Sequence, residues 1–508
     1  MKKIMKLAFC LLIGALFLTG CGKDAKRGAD KDALIVAQGA DAKTLDPHAT
    51  NDQPSSAVAI QIYNTLVEQD PDMKIIPSLA ESWTQPDDTT TVFNLRRGVK
   101  FHNGEELKSS DVKFTLDRAM ASPQVNFIVE VISEVETPDD YTVVVKTKQP
   151  FGALLNHLAH SAMSILSEKA VREAGEKYGQ NPVGTGPYKF VSWQSGDRIT
   201  LKANPDYFEG KPAVENVIFR NIPENQSRAI ALETGEVDIC YGIDVIDKER
   251  IKGNKDLVYL EGPSLSMTYI GFNVQKKPLD DVRIRQAVCY AIDADAIIEA
   301  VWKGAATKAN SIIGPNVFGY NKDARLWTRD VEKAKALLAA AGYPDGFQVK
   351  IWLNDNQQRR DMAVIMQDQL KEAGIDMTIE MVEWAAFLDG TARGDHEMYV
   401  LGWVTVTGDA DYGIYPLLHS SQHGGAGNRS FYTNPAVDEL LDQAKGETDQ
   451  EKRKALYAQV QDANQEQVPI FPVCYGYSSV GLRKNVKGFV LRATSHYKLY
   501  GITLENTK

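Results

Sequence analysis

Hydrophobic and polar positions alternate with regular periods along most of the chain beyond residue 33. Apolar residues spaced three and four apart predict four amphipathic helices, and two of these lead through a glycine into β-like runs at 346–351 and 375–379. The order helix, glycine, strand occurs twice in succession, and this pattern predicts α/β layering in this region. Three of the helices are expected to begin at Ser110-Asp111, after Asp330 and at Asn434-Pro435. The remaining helix, with an apolar stripe between 362 and 370, is expected to end at Gly374.

The N-terminal third has more strand signals than helix signals. Four short runs, at 91–95, 141–146, 199–202 and 217–222, are rich in β-branched and aromatic residues and are separated by Pro, Gly and Asp clusters. The pattern therefore predicts a mixed α/β protein with at least two lobes.

The first twenty-one residues have the organisation of an export signal. Three lysines precede an apolar run at 7–18, which is shorter than the roughly 20 residues that cross a bilayer. Leu18-Thr19-Gly20-Cys21 resembles the bacterial lipobox, which implies a signal peptide at 1–20 and lipid on Cys21. A plain signal peptide with a chance cysteine is the alternative. The charged segment 21–32 would then tether an extracytoplasmic body to the membrane.

Composition narrows the classes of function. The chain has 508 residues, enough for two to four domains at about 150 residues each, and a formal net charge of −10, which disfavours nucleic acid and anionic lipid as partners. No later stretch is apolar enough to span a membrane, so lipid is the expected attachment. Cys240, Cys289 and Cys474 have no metal-binding spacing and are expected to be buried structural thiols, although one disulfide plus one free thiol is open.

Catalytic motifs are not evident. The sequence has no Gly-x-Ser-x-Gly elbow, no His-Glu-x-x-His helix and no Walker A loop, and Gly184-Thr185-Gly186-Pro187 predicts a tight turn before a strand. His157-x-x-His160 has a spacing that a metal could use, but a packed helix face is the simpler interpretation. We therefore predict no catalytic residue, no cofactor and no metal. An exported hydrolase stays open because catalytic residues need not be sequence neighbours.

A series of short motifs runs in order along nearly the whole mature chain. They are 42–47 (AKTLDP), 62–67 (IYNTLV), 79–83 (LAESW), 95–104 (LRRGVKFHNG), 184–188 (GTGPY), 204–207 (NPDY), 271–273 (GFN), 278–283 (PLDDVR) and 431–435 (FYTNP). Together these motifs resemble the family 5 solute-binding proteins of ABC importers, the dipeptide, oligopeptide, glutathione and nickel-binding group. The segment 408–412 (GDADY) is most similar to the glutathione-type branch.

The resemblance implies an α/β fold of the periplasmic-binding-protein class II type. Two lobes are joined by a pair of crossover strands, the ligand is held in the cleft between them, and an extra domain is inserted in the first lobe. The implied segments are 33–65, 180–268 and 476–508 for the first lobe, 66–179 for the inserted domain and 269–475 for the second lobe.

The resemblance also implies a ligand site, with the 402–412 loop supplying a carboxylate and an aromatic wall. This chain departs from the dipeptide-binder pattern, because Val406 stands where the amine-binding aspartate is usual, unless Asp409 replaces it. An arginine is also missing from its usual place, and Arg359 and Arg360 are the nearest. The candidate ligand-binding residues are Trp403, Asp409, Asp411, Tyr412, Arg429, Trp384, Tyr63 and Tyr269.

Each candidate has a structural alternative. Asp409 and Asp411 suit a turn or a helix cap as well as a ligand amine. Trp403 suits either a cleft wall or the core, as does Trp384, and core packing is the simpler interpretation of both tyrosines at 63 and 269. Arg429 is the preferred partner for a ligand carboxylate, and a solvated loop charge is its alternative.

The sequence thus predicts a monomeric extracytoplasmic binding lipoprotein, periplasmic or on the outer face of the cell membrane. It is expected to deliver small peptides or glutathione-like ligands to an ABC permease. A nickel or metallophore-chelate binder of the same family is the alternative, with His419, His423 or His496 against the chelate.

Overall fold

The computed structural model describes residues 33–424 and 427–505 of the chain. The predicted signal peptide 1–20, the lipidation site Cys21 and the tether 21–32 lie outside these residues. Among the helices that the structure describes, none combines the length and the apolar character needed to cross a bilayer.

One large mixed sheet of eleven strands runs through both lobes. Its strand order is β15-β14-β16-β12-β17-β11-β1-β10-β9-β8, and β13 pairs with β17 outside this path. The strands are β1 (Ala33–Gln38), β8 (Tyr188–Gln194), β9 (Arg198–Ala203), β10 (Asn216–Asn221), β11 (Ile239–Tyr241), β12 (Leu257–Phe272), β13 (Ala306–Lys308), β14 (Phe347–Asn354), β15 (Ile375–Val382), β16 (Met398–Val404) and β17 (Ile470–Arg483).

Two long antiparallel strands connect the lobes. β12 and β17 pair with each other, and their register shifts between Pro263 and Met267. β17 also pairs with β11 on the side of the first lobe, and β12 pairs with β16 on the side of the second lobe. The predicted lobe boundaries at 268/269 and 475/476 fall inside these two strands. The molecule is therefore a two-lobed α/β protein whose lobes share one sheet.

Residues 66–179 contain a separate antiparallel sheet with the order β4-β5-β7-β6. Phe93 and Leu95 on one strand and Val143 and Val145 on the next are buried and alternate with more exposed residues, as expected for a sheet with one buried face. The remaining strands are β2 (Val67–Gln69), β3 (Ile75–Pro77), β4 (Ala80–Asp87), β5 (Thr90–Leu95), β6 (Ile132–Asp139), β7 (Thr142–Thr147), β18 (Val486–Lys487) and β19 (Thr503–Leu504).

The four predicted helices are present, and their caps explain their starts. The side chains of Asp330 and Asn434 accept hydrogen bonds from the backbone N–H of Lys333 and Ala436. The α-helices are Gln53–Ile62, Ser109–Met120, Asn126–Val129, Leu154–Leu158, Glu168–Ala174, Asn225–Thr234, Lys248–Gly253, Val282–Ala291, Ala294–Trp302, Val331–Ala340, Gln357–Glu372, Trp384–Arg393, Ala410–Leu418, Pro435–Gly446 and Gln450–Gln467. Short 3₁₀ turns lie at Ser161–Met163, Gly175–Gln180 and Ser420–Gln422.

Helices pack on both sides of the parallel β14-β15 pair, as the helix-glycine-strand pattern predicts. Cys240, Cys289 and Cys474 are free and fully buried. Burial raises the pKa of the Cys240 thiol to about 11, so these groups are protonated packing residues, as expected.

Candidate functional site

A cavity of about 400 Å³ lies between the two lobes. That volume is within the range of small-molecule sites, roughly 300–1,000 Å³. A second cavity of about 350 Å³ adjoins it and shares lining residues such as Gln53 and Val404. We call the first the interlobe cavity. Its lining includes Lys43, Asn51, Asp52, Gln53 and Arg228 from the first lobe, His160 from the inserted region, and Arg359, Trp384, Asp389, Trp403, Val406, Tyr412 and Arg429 from the second lobe.

Contacts across the cavity hold the lobes together. The indole Nε1 of Trp384 donates to Asp52 Oδ2 at 3.1 Å, and the Lys43 ammonium lies 2.6 Å from Asp389 Oδ1. Asn51 Nδ2 donates to the Tyr412 hydroxyl at 2.9 Å. The structure is thus a closed arrangement in which both lobes contribute to one enclosed space.

Two guanidinium groups of the second lobe face this space without a carboxylate partner. Arg429 is 4% exposed and donates from Nη1 to the Leu388 carbonyl at 2.5 Å and to Thr391 Oγ1 at 2.6 Å, while its Nε has no partner. Arg359, at the start of the Gln357–Glu372 helix, donates to Asn354 Oδ1 at 2.6 Å. Desolvation lowers the pKa of the Arg359 guanidinium to about 10 and also lowers that of Arg429. Both stay charged at neutral pH.

Aromatic side chains form one wall of the cavity. Trp403 ends β16, is 7% exposed, and donates from Nε1 to the Tyr412 carbonyl at 3.1 Å. The Trp403 and Tyr412 rings lie 5.4 Å apart, so Trp403 is both a core residue and a lining residue. Trp384 stacks on Phe387 and reaches across to the first lobe.

The two histidines that line the cavity are neutral at pH 7. Desolvation lowers the pKa of His496 to about 4 and lowers that of His160 well below its ordinary value. His160 Nδ1 accepts the Ala162 N–H, so Nε2 carries the proton and faces the Tyr412 hydroxyl at 2.9 Å. A nitrogen that carries a proton cannot ligate a metal, so His496 offers the one lining imidazole with an uncommitted nitrogen among the described residues.

Four of the eight predicted ligand residues line the cavity, namely Trp403, Tyr412, Trp384 and Arg429. The tyrosines at 63 and 269 do not, and the structure gives both of them core positions. Tyr63 is 2% exposed and its hydroxyl donates to the Leu45 carbonyl at 3.0 Å, and Tyr269 is fully buried with its ring 5.7 Å from that of Tyr399.

The structure gives Asp409 a different role from the expected ligand contact. Its carboxylate caps the Ala410–Leu418 helix by accepting the Asp411 N–H at 2.8 Å. Both of its oxygens also accept from the Arg453 guanidinium at 2.7 Å. With its charge balanced by Arg453 and its position off the cavity lining, Asp409 does not replace the missing aspartate at 406.

Asp411 is also off the cavity. It is 2% exposed, and its Oδ2 lies 3.4 Å from His157 Nε2 of the inserted region. His419 and His423 do not line either cavity; His419 precedes the Ser420–Gln422 turn, and His423 Nε2 bonds to the Tyr432 carbonyl at 2.7 Å. No group of three or more His, Cys, Asp or Glu suited to a metal ion is present in the described part of the chain.

Residues 74–425 match the family model of bacterial extracellular solute-binding proteins, family 5. The chain belongs to this family.

Relatives within the family bind different solutes. The glutathione-binding protein GsiB of Salmonella choleraesuis is 34% identical, with 91% of this chain and 92% of that one covered. The dipeptide-binding protein of Escherichia coli K12 is 33% identical, with 94% and 98% covered. The solved structure of the periplasmic binding protein DppA of Helicobacter pylori, in complex with the peptide STSA, superposes with a TM-score of 0.87 at 32% identity over 93% and 98% of the two chains.

Family membership confirms the expected class of protein. The chain is a solute-binding protein of the kind that serves ABC importers, and its relatives are transport proteins rather than enzymes. Sequence reasoning overlooked Asp52, Asn51 and Arg228 in the lining. A helix-cap pattern, Asp52-Gln53-Pro54, marks the first of these in the sequence, but nothing in that pattern signals a cavity.

Proposed function

We propose that the protein captures small peptides or glutathione-like ligands with a free carboxylate and delivers them to an ABC permease. The two uncompensated guanidiniums of Arg429 and Arg359 in the interlobe cavity carry this proposal. A desolvated cation without a partner is costly, and a ligand carboxylate supplies the charge and the acceptors that a planar guanidinium binds best.

The charges of the cavity favour an anionic ligand over a cationic one. Lys43 and Asp389 balance each other, which leaves Arg359, Arg429 and Arg228 against Asp52. The Arg228 guanidinium is occupied by the carbonyls of Ile222 and Pro223, both at 2.7 Å. The two arginines of the second lobe therefore remain for the ligand.

The proposal extends to the location of the protein. The motif ending at Cys21 supports a lipid anchor outside the cytoplasmic membrane, where the body, which we expect to be a monomer, would pass its ligand to the permease. Labelled fatty acid incorporated into wild-type protein but not into Cys21→Ser is the expected result, and equal labelling would contradict it.

Calorimetric titration tests the carboxylate site. The ligands are glutathione and a series from dialanine to tetraalanine, each as the free acid and as the C-terminal amide. Arg429→Gln should weaken binding of the acids by at least about 30-fold, since removing one partner of a hydrogen-bonded charge pair costs 2 kcal/mol or more. The amides should lose far less, and Arg359→Gln is the matched variant on the neighbouring helix.

Equal losses for acids and amides in both variants would contradict the proposal, as would the absence of binding by every acid.

Native mass spectrometry of protein from cell envelopes identifies a co-purified solute. A nickel chelate, for which His496 is the available imidazole, would appear there as a metal-dependent mass that a chelator removes.

A further inference from the structure

The 402–412 loop offers no unpaired carboxylate for a ligand's amino group. Val406 lines the interlobe cavity with an apolar side chain, and the nearby Asp409 carboxylate is paired with Arg453. Asp411 is buried against His157. A peptide ammonium enclosed in the cavity nevertheless needs a carboxylate, because an unpaired buried charge is costly.

Two carboxylates line the cavity among the described residues, Asp52 and Asp389. Asp389 is exposed and its Oδ1 lies 2.6 Å from the Lys43 ammonium. Asp52 is 6% exposed, and its hydrogen bonds all come from neutral donors. The Asp52 charge is therefore the uncompensated negative charge of the cavity lining.

Asp52 also has room for one more donor. A carboxylate offers about four lone-pair sites. Thr50 Oγ1 donates to Oδ1 at 2.7 Å, and the Ser55 N–H and Trp384 Nε1 donate to Oδ2 at 3.3 and 3.1 Å. One acceptor site on Oδ1 remains, on a side chain already fixed by three bonds.

We infer that Asp52 binds the amino group of the peptide ligand from the first lobe, in place of a carboxylate on the 402–412 loop. This inference rests on the proposed function. It places the ammonium on the first lobe and the carboxylate on Arg429 or Arg359 of the second lobe.

This orientation has a consequence for closure. Each charged end of the ligand is bound by a different lobe, so both charge pairs form only when the lobes are together. A ligand shifts the open–closed equilibrium by the contacts it makes in the closed state alone. A peptide that lacks either end charge should then favour closure less.

The substitution Asp52→Asn tests the assignment. Asparagine caps a helix as well as aspartate does, and its side-chain oxygen still accepts the Trp384 indole, so the melting temperature should stay near that of wild type. Affinity for free-amine di- to tetraalanine and glutathione should fall about 10-fold or more, while affinity for their N-acetylated forms should be unchanged. Asp52→Ser, another good cap without charge, should give the same loss.

Asp330→Asn is the control, because Asp330 also caps a helix with its side chain but does not line the cavity. It should change the affinity of both ligand forms by less than about threefold. If Asp330→Asn and Asp52→Asn weaken free-amine binding equally, the loss is not specific to the cavity and the assignment to Asp52 is wrong. If Asp52→Asn does not change the affinity for free-amine ligands, the result contradicts this inference but not the proposed function. If wild-type protein binds neither form of any ligand, the result contradicts the proposed function and therefore also this inference.

Discussion

At the scale of single residues, two aspartates with the same local role differ in what surrounds them. Asp52 and Asp409 both precede a helix and accept a backbone N–H from its first turn. The Arg453 guanidinium forms two hydrogen bonds to the Asp409 carboxylate, whereas only neutral groups donate to the Asp52 carboxylate. A capping pattern therefore does not reveal which carboxylate keeps its charge available for a ligand.

The Asp409–Arg453 pair should matter for stability and not for binding. Asp409→Ala leaves the Arg453 guanidinium, 5% exposed, without its carboxylate, and the free energy of unfolding should fall by about 3–5 kcal/mol. Urea denaturation measures this change. Asp409→Asn keeps an oxygen that accepts both the Asp411 N–H and Arg453 Nη2, so it should destabilise the protein less than the alanine variant does, by at least the roughly 1 kcal/mol of a cap.

The folded fraction of both Asp409 variants should bind peptide with an affinity within about twofold of wild type. If Asp409→Asn specifically loses affinity for free-amine peptides without losing stability, Asp409 contacts the ligand and this assignment is wrong.

The sequence alone predicts only part of the site, because several lining residues are brought together by the tertiary fold. Trp403 is predicted because it lies in the segment that resembles the family's binding loop, and Arg429 is predicted as the partner of a ligand carboxylate; both line the cavity. Arg359 is next to a strand end in sequence, but its position at the cavity depends on how the Gln357–Glu372 helix packs. Asp52 and Asn51 come from the opposite lobe, and their proximity to Trp384 and Tyr412 is a long-range contact without a local signal.

At the scale of elements, the sequence correctly predicts where a helix or strand begins when a capping residue or a glycine-containing turn precedes it. The helix Val331–Ala340 begins after Asp330, and the strand β8 begins after the turn at Gly184–Pro187, as predicted. That turn has a packing reason for its glycines, because the Gly186 N–H donates to the Ile62 carbonyl at 2.8 Å. The turn is thereby fixed against the end of the Gln53–Ile62 helix, which carries Asp52 as its cap.

Adding a side chain at Gly186 should disrupt this contact. A Cβ atom there would lie 2.5 Å from the Ile62 carbonyl carbon and 2.7 Å from the Gln61 carbonyl oxygen, and the obstructing atoms are backbone. Gly186→Ala should lower the free energy of unfolding by roughly 1–3 kcal/mol or more. Gly152→Ala, where a Cβ meets nothing within 4 Å, is the control and should be nearly neutral. Equal melting temperatures for the two variants would contradict the close packing.

At the scale of the whole molecule, the mixed α/β class follows from alternating helix and strand signals, whereas the two strands that join the lobes are implied only by the family resemblance. β12 and β17 have 16 and 14 residues, and each passes from one lobe into the other without a break that the sequence marks. Their residues pair at separations of about 200 residues, so no local pattern in the sequence reveals the pairing. The shared pair leaves the lobes connected by two strands, which suits rigid-body closure around a solute.

Buried histidines in several parts of the molecule should make its stability depend on pH. Desolvation lowers the pKa of His48 to about 3 and those of His102, His396 and His496 to about 4. Each is neutral in the folded protein at pH 5, whereas an unfolded histidine takes up a proton below about 6.5. The stabilisation is therefore complete above about pH 6.5 and is lost as the pH falls towards 4. Carboxylates with lowered pKa values, such as Asp46 and Glu68, lose their contribution only below about pH 4.

Urea denaturation between pH 7 and pH 5 isolates the histidines, because the carboxylates keep their charge in that range. Each histidine should contribute a slope of about 1.4 kcal/mol per pH unit near pH 5.5, so the midpoint should fall clearly. His102→Gln should reduce the slope by one such increment, since glutamine can still donate to the Gly186 carbonyl that His102 Nε2 reaches at 3.0 Å but does not titrate. A midpoint that stays constant from pH 7 to pH 5 would show that these imidazoles are accessible to protons in the folded state, and would contradict their desolvated packing.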